Sequence, residues 1–261
     1  MKLKIYQIDA FTDKIFSGNP AAVCILEYWL DDNLMRNIAA ENNLAETAFA
    51  VRKEDKYEIR WFTPTVEVDL CGHATLATAF VLFMYFVSND KIEFYSERSG
   101  SLHVERSQSG FLTLDFPTDE LNEVEAKDQL ISALGRAPVK TFRGKTDYLL
   151  IYSSQKEIED MEPDYRQLAK TDARGVIVSA KGEEVDFVSR FFSPNTGIDE
   201  DPVTGSAHTS LTPYWSKELG KTTLTARQLS KRGGDLVCEY LGDRVKISGH
   251  AVLYLVGEIE V

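Results

Sequence analysis

Three short segments hold residues whose types and spacing could do chemistry. The first is Leu70-Cys71-Gly72-His73-Ala74-Thr75-Leu76. Its glycine stands where an apolar run begins, which predicts a helix opening at Gly72. The free backbone N–H groups and positive dipole end of such a helix suit a carboxylate or phosphate. His73, on the first turn, could donate a hydrogen bond or carry a proton. Cys71 directly precedes the helix start, where a thiolate is stabilised. A plainer alternative makes His73 a satisfied structural histidine beside a tight turn.

The second segment is Asp199-Glu200-Asp201-Pro202-Val203-Thr204-Gly205-Ser206-Ala207-His208. Acids, a proline and a glycine again precede an apolar stretch, and a second helix is expected over 205–219. The acids, Thr204 and Ser206 could be no more than caps. The third segment, Leu44-Ala45-Glu46-Thr47-Ala48-Phe49-Ala50-Val51, sets one carboxylate in an otherwise apolar strand. A partly buried glutamate can exchange protons near neutrality. A surface glutamate on a half-exposed strand would read the same way. Of the pair Cys71 and Thr204, the threonine is a poor base, so a two-base reaction using both is incomplete.

The elements that must position these residues follow from the apolar pattern. Strands are predicted at 3–10, 20–26, 45–52, 57–62, 91–96, 101–106 and 111–116, then at 147–152, 174–179, 185–192, 235–240, 244–249 and 251–260. A helix with Asp31 as its N-cap runs through Leu34 and Ile38; others are expected at 125–134 and 164–170. Ala74 to Val87 is apolar on all sides, which marks a buried helix. It is too short for the ~20 residues that span a bilayer.

A faint internal repeat links the segments. Pro64 and Pro194 lie 130 residues apart, as do Ala39 and Ala169, while Gly72 and Gly205 lie 133 apart. Two copies suit two domains of related fold rather than a solenoid. The boundary is expected near residues 118 and 119, giving domains 1–118 and 119–261, with the C-terminal strand able to cross back to the first. Facing domains would bring both glycine-led helix starts to one cleft. Many short strands with few helices argue for an α/β (α+β) chain, each domain a mainly antiparallel sheet around a central apolar helix.

Composition narrows the partners. The 261 residues carry 29 basic and 41 acidic side chains, a formal charge of −12. That balance argues against nucleic acid and anionic membranes, yet leaves room for a small anion at a local positive site. Three widely spaced cysteines form no disulfide or metal framework and fit a reducing, cytoplasmic setting. The four histidines are too scattered in sequence to propose a metal site. Phosphate-loop, serine-elbow and HExxH motifs are missing.

With these residues in hand, a family resemblance is visible. Ser17-Gly18-Asn19-Pro20-Ala21-Ala22-Val23, Ala45-Glu46-Thr47-Ala48-Phe49, Cys71-Gly72-His73-Ala74-Thr75-Leu76 and Glu200-Asp201-Pro202-Val203-Thr204-Gly205-Ser206-Ala207-His208 resemble the signature segments of the PhzF-like family of isomerases. The resemblance implies a diaminopimelate epimerase-like fold and proton transfer on a small carboxylate without metal or organic cofactor. It implies Glu46, His73 and Asp201 as catalytic residues, with Ser206 and the backbone at Gly72 and Gly205 holding substrate beside Cys71 and Thr204. It also implies a homodimer. The phenazine enzymes proper differ at Cys71, so their substrate is not carried over. Two rivals remain: a racemase or epimerase using Cys71, and a non-catalytic ligand-binding protein on the same frame.

Overall fold

The computed structural model describes all residues, Met1–Val261. In chain order the first elements are β1 (Lys2–Ala10), β2 (Asn19–Leu26), α1 (Asp32–Asn42), β3 (Glu46–Lys53), β4 (Lys56–Phe62), β5 (Glu67–Val68), α2 (Gly72–Tyr85), β6 (Lys91–Ser96), β7 (Gly100–Arg106) and β8 (Leu112–Pro117). Then come β9 (Asn122–Glu123), α3 (Asp128–Leu134), β10 (Lys140–Arg143), β11 (Asp147–Ile151), α4 (Gln155–Glu159), α5 (Tyr165–Leu168), β12 (Gly175–Lys181) and β13 (Phe187–Ser193). A 3-10 turn at Pro194–Thr196 leads to β14 (Ile198–Glu200), α6 (His208–Leu219), β15 (Thr223–Gln228), β16 (Gly234–Tyr240), β17 (Arg244–Gly249) and β18 (Ala251–Glu260).

The chain divides into two compact units, Met1–Asp115 with Ser248–Val261, and Phe116–Ile247. The break lies a little before the one expected at 118 and 119. The C-terminal strand β18 runs antiparallel along β1, from Lys2↔Glu260 to Ala10↔Ala251.

In the first unit, β1 and β2 are antiparallel, β2 and β3 parallel across α1, and β3 and β4 antiparallel. Antiparallel β4–β5, parallel β4–β6 across α2 and antiparallel β6–β7 follow. Helix α1 starts where the sequence placed it: the Asp31 side chain accepts from the Asn33 N–H at 2.9 Å, and Asn43 closes the helix in the left-handed region. Its face buries Met35, Ile38 and Ala39 against Cys24, Phe49 and Phe62. Helix α2 is apolar all round and buries residues on every side, resting on β1, β2 and β3. Between its two ends such a helix satisfies its own backbone.

The second unit runs through the same series. β10–β11 is antiparallel, β11–β12 parallel across α4 and α5, and β12–β13 antiparallel. Antiparallel β13–β14, parallel β13–β15 across α6 and antiparallel β15–β16 complete it. Its core gathers Leu130, Leu150, Ile158, Val178 and Phe192. The faint sequence repeat is therefore a repeat of strand pairing. Antiparallel pairings predominate, with parallel pairs at the helical crossovers, so the sheets are mixed.

Two helices start later than predicted: α3 begins at Asp128 rather than at 125, and α6 is the other. The segment 205–207 is a turn, and α6 begins at His208 rather than at Gly205. The reason is local. The His208 ring Nδ1 lies 2.9 Å from the Thr204 carbonyl, and the His208 backbone N–H bonds to Gly205 O instead. The first turn is thus closed by i→i−3 bonds, a tighter 3-10-type geometry, ahead of the regular ladder. No helix is long and apolar enough to cross a membrane. All three cysteines are free and buried.

Candidate active site

In the first unit, sheet register and helix start bring four side chains together. Glu46 is the first residue of β3, in parallel register with Ala21 of β2. Asn19 opens β2 and is fully buried. Cys71 is the N-cap residue of α2, and no side-chain bond caps that helix. The first intrahelical bond runs from the Thr75 N–H to Cys71 O, so the N–H groups of Gly72, His73 and Ala74 lie outside the helical ladder.

His73 stands at the centre of this group. Its Nε2 is 3.2 Å from Glu46 Oε2, close but not aligned as a hydrogen bond. Its Nδ1 is 3.2 Å from Asn19 Nδ2 and 3.5 Å from Cys71 Sγ. Burial pushes the imidazole down to about 3, so the ring is neutral near pH 7. The Asn19 amide donates to Nδ1, which places the ring proton on Nε2, facing the Glu46 carboxyl. The arrangement presents a neutral N–H donor and a partly buried carboxyl, only 13 % exposed at its side chain, beside a helix N-terminus. It can accept a proton and steady a negative charge. An imidazolium acid is not available near neutrality.

The second unit gathers Asp201, Thr204, Gly205 and Ser206 in and around the turn before α6. The Thr204 hydroxyl donates to Asp201 Oδ2 at 2.5 Å. Gln228, fully buried on β15, accepts from the Thr204 N–H at 2.9 Å and donates to Asp201 O at 2.7 Å. Thr204 is thus engaged in holding the loop. Ser206 Oγ accepts from Arg174 Nη2 at 3.1 Å, and Arg174 forms a two-pronged pair with Asp147. With Oγ accepting from the guanidinium, the Ser206 proton is left to donate elsewhere.

Sequence reasoning singled out Glu46, Cys71, Gly72 and His73, which share the first unit, and Asp201, Thr204, Gly205 and Ser206, which share the second. It did not single out Asn19 or Arg174. Asn19 carried a signal, since it stands inside the motif Ser17–Val23. Arg174 carried none. Only the pairing of Asp147 with Gly175 brings it to Asp147 and Ser206.

The sequence profile of the phenazine biosynthesis-like proteins (PhzC-PhzF) matches residues 8–257. The chain belongs to that family. An uncharacterised isomerase of Pseudomonas aeruginosa is 52 % identical over 263 residues, covering all of both chains. The crystal structure of a PhzF-family protein from Enterococcus faecalis is 46 % identical, covers all of both chains and superposes with a TM-score of 0.97. A hydroxyproline epimerase of Agrobacterium vitis, crystallised with trans-4-hydroxy-L-proline, shares the fold at 8 % identity and a TM-score of 0.60, over 99 % of this chain and 92 % of its own. This PhzF-family chain is an enzyme of the isomerase type, with the α/β, diaminopimelate epimerase-like fold.

Proposed function

We propose that this PhzF-family protein moves a proton between carbons of a small carboxylate substrate, without metal or organic cofactor, with Glu46 as the acid/base residue. The observation that carries the reading is the Glu46–His73 pair, 3.2 Å apart and largely buried at the start of α2. Glu46, as carboxylate, takes a proton from an activated carbon. The electron pair left behind moves into the adjacent carbonyl or conjugated acid. The N–H groups opening α2 and the neutral His73 Nε2–H meet that charge. Protonated Glu46 then returns the proton to another carbon, so no net proton is consumed.

The second unit's residues have supporting roles in this reading. Asp201 is taken as a catalytic aspartate on the likeness of its segment to the family motif. Ser206, polarised by Arg174, donates to a substrate carboxylate. A small cyclic or unsaturated carboxylate is the expected substrate, and trans-4-hydroxy-L-proline on a protein of the same fold supports that class. The assembly proposed is a homodimer, which light scattering would test.

Incubation of such carboxylates with the protein in deuterated water should label the product at carbon. The Glu46→Gln variant should bind ligand yet label nothing. Full activity in that variant would defeat the reading. A second reading, racemisation or epimerisation through Cys71, draws on the 3.5 Å approach of its sulfur to His73 Nδ1. It requires that Cys71→Ala abolish activity and that the product be inverted at the labelled carbon.

A further inference from the structure

We propose that Glu46, Cys71 and His73 also form a binding site for a thiophilic divalent cation such as zinc, and that its occupation switches the isomerase off. The inhibitory part rests on the proposed role of Glu46; the binding part does not.

The three residues offer a carboxylate oxygen, a sulfur and an imidazole nitrogen within 4.8 Å of one another. Cys71 is 7 % and His73 5 % exposed. Zinc holds sulfur at about 2.3 Å and imidazole nitrogen at about 2.0–2.1 Å in a tetrahedron, which sets those two ligands about 3.5 Å apart. Cys71 Sγ and His73 Nδ1 are 3.5 Å apart. The nitrogen that faces the sulfur is also the one whose lone pair the Asn19 amide leaves as an acceptor. Asn19 must turn aside to admit the ion, and Glu46, which faces the opposite ring nitrogen Nε2 at 3.2 Å, must swing round to the Nδ1 side to become the third ligand. Such adjustments fit a reversible site rather than a structural zinc.

Charge and chemistry agree. On binding, Cys71 loses its thiol proton to solvent, and thiolate and carboxylate together match the two positive charges of the ion. No electron is transferred. The α2 N-terminus favours the thiolate. A mixed sulfur, nitrogen and oxygen set selects zinc-like ions over magnesium or calcium, which want oxygen alone. A fourth position remains for water or an anion. Glu46 held by the cation can no longer accept a carbon-bound proton, so cation and turnover exclude one another. The corresponding turn of the second unit offers hydroxyls and a guanidinium instead of soft donors. One ion per chain is therefore expected.

The test uses cobalt(II) as a coloured stand-in for zinc, added to the reduced whole protein without substrate. One equivalent should produce a thiolate-to-cobalt charge-transfer band in the near ultraviolet. Zinc should abolish it and excess magnesium should not. Cys71→Ser should lose the band, while Cys238→Ser, in β16, should retain it. His73→Gln and Glu46→Gln should each weaken binding at least about tenfold, the loss expected on removing a ligand or its support. If Cys71→Ser fails to fold, zinc K-edge absorption on the unaltered protein decides. One sulfur neighbour at about 2.3 Å supports the site. A shell without sulfur, a missing band, or a band that survives Cys71→Ser overturns it. Failure of the deuterium experiment would defeat the role of Glu46 and leave the band in place.

Discussion

The two units share one order of strand pairing, and in each the start of the third strand of the repeat meets the residue after a glycine. In the first, Glu46 opens β3 and approaches His73 of Cys71-Gly72-His73-Ala74. In the second, Arg174 precedes β12 and bonds to Ser206 of Thr204-Gly205-Ser206-Ala207. The frame is common and the charges are opposite. One unit pairs a carboxyl with a neutral imidazole, which suits moving a proton. The other pairs a guanidinium with a hydroxyl, which suits holding an anion. The difference teaches that a duplicated scaffold fixes positions, while the residues at those positions set opposite chemistry.

Acid should break the likeness first. Each unit buries a neutral histidine beside its helix start, His73 at about 3 and His208 at about 4, both lowered from 6.5 chiefly by desolvation. The folded state therefore binds fewer protons than the unfolded chain as pH falls. Their stabilisation is complete above about 6.5 and is lost as pH drops toward 3–4. Each costs about 1.4 kcal/mol per pH unit below that point, or about 5 kcal/mol for the two at pH 4.5. Denaturant melts from pH 8 to 4.5 should show the decline. Replacing either histidine by glutamine should remove about half of the pH slope, and an unchanged slope would refute the neutral assignment.

Next in size is the donor role of His73. His73→Gln should lower deuterium incorporation about 10²-fold, the usual cost of one donor to a developing oxyanion. The matching change in the second unit, Ser206→Ala, should weaken carboxylate binding more than it slows exchange at saturation. Equal effects on both quantities in both variants would erase the proposed division of labour.

Arg174→Met should cost about 2 kcal/mol, because it leaves the buried Asp147 carboxylate without its main partner. Arg174→Lys should recover part of this in thermal melts and less of the ligand affinity, since lysine cannot fork between Asp147 and Ser206. The smallest effects concern equivalent caps. Asp31 caps α1, and Asp164 caps α5 in the second unit. Alanine at either should cost about 1 kcal/mol in denaturant unfolding, and a large disparity would show that the two helices bear unequal loads.

Much of this was legible in the sequence, where local rules and tertiary structure agree. The Asp31 cap, the buried α2 starting at Gly72 and most of the longer strands follow from pattern alone. Where they disagree, the sequence misleads. The helix expected at Gly205 starts three residues later, after a turn closed by i→i−3 bonds in which the His208 ring contacts the Thr204 carbonyl. β15 went unpredicted because Leu224 and Ala226 are its only apolar side chains, too few to show an alternation. Short strands such as β5 and β14 exist through their partners. At the site, the motif residues were visible, Asn19 among them, but the contacts they make were not. Arg174, outside every motif, meets Ser206 only through strand register, which no local pattern encodes.

The central claim is that Glu46 carries the proton. It is tested most directly by incubating small cyclic and unsaturated carboxylates with the wild-type and Glu46→Gln proteins in deuterated water and following carbon-bound deuterium by NMR. The account predicts label in the wild-type product and a loss of about 10³-fold in the variant, with ligand binding retained. Label appearing at the wild-type rate in Glu46→Gln would contradict it.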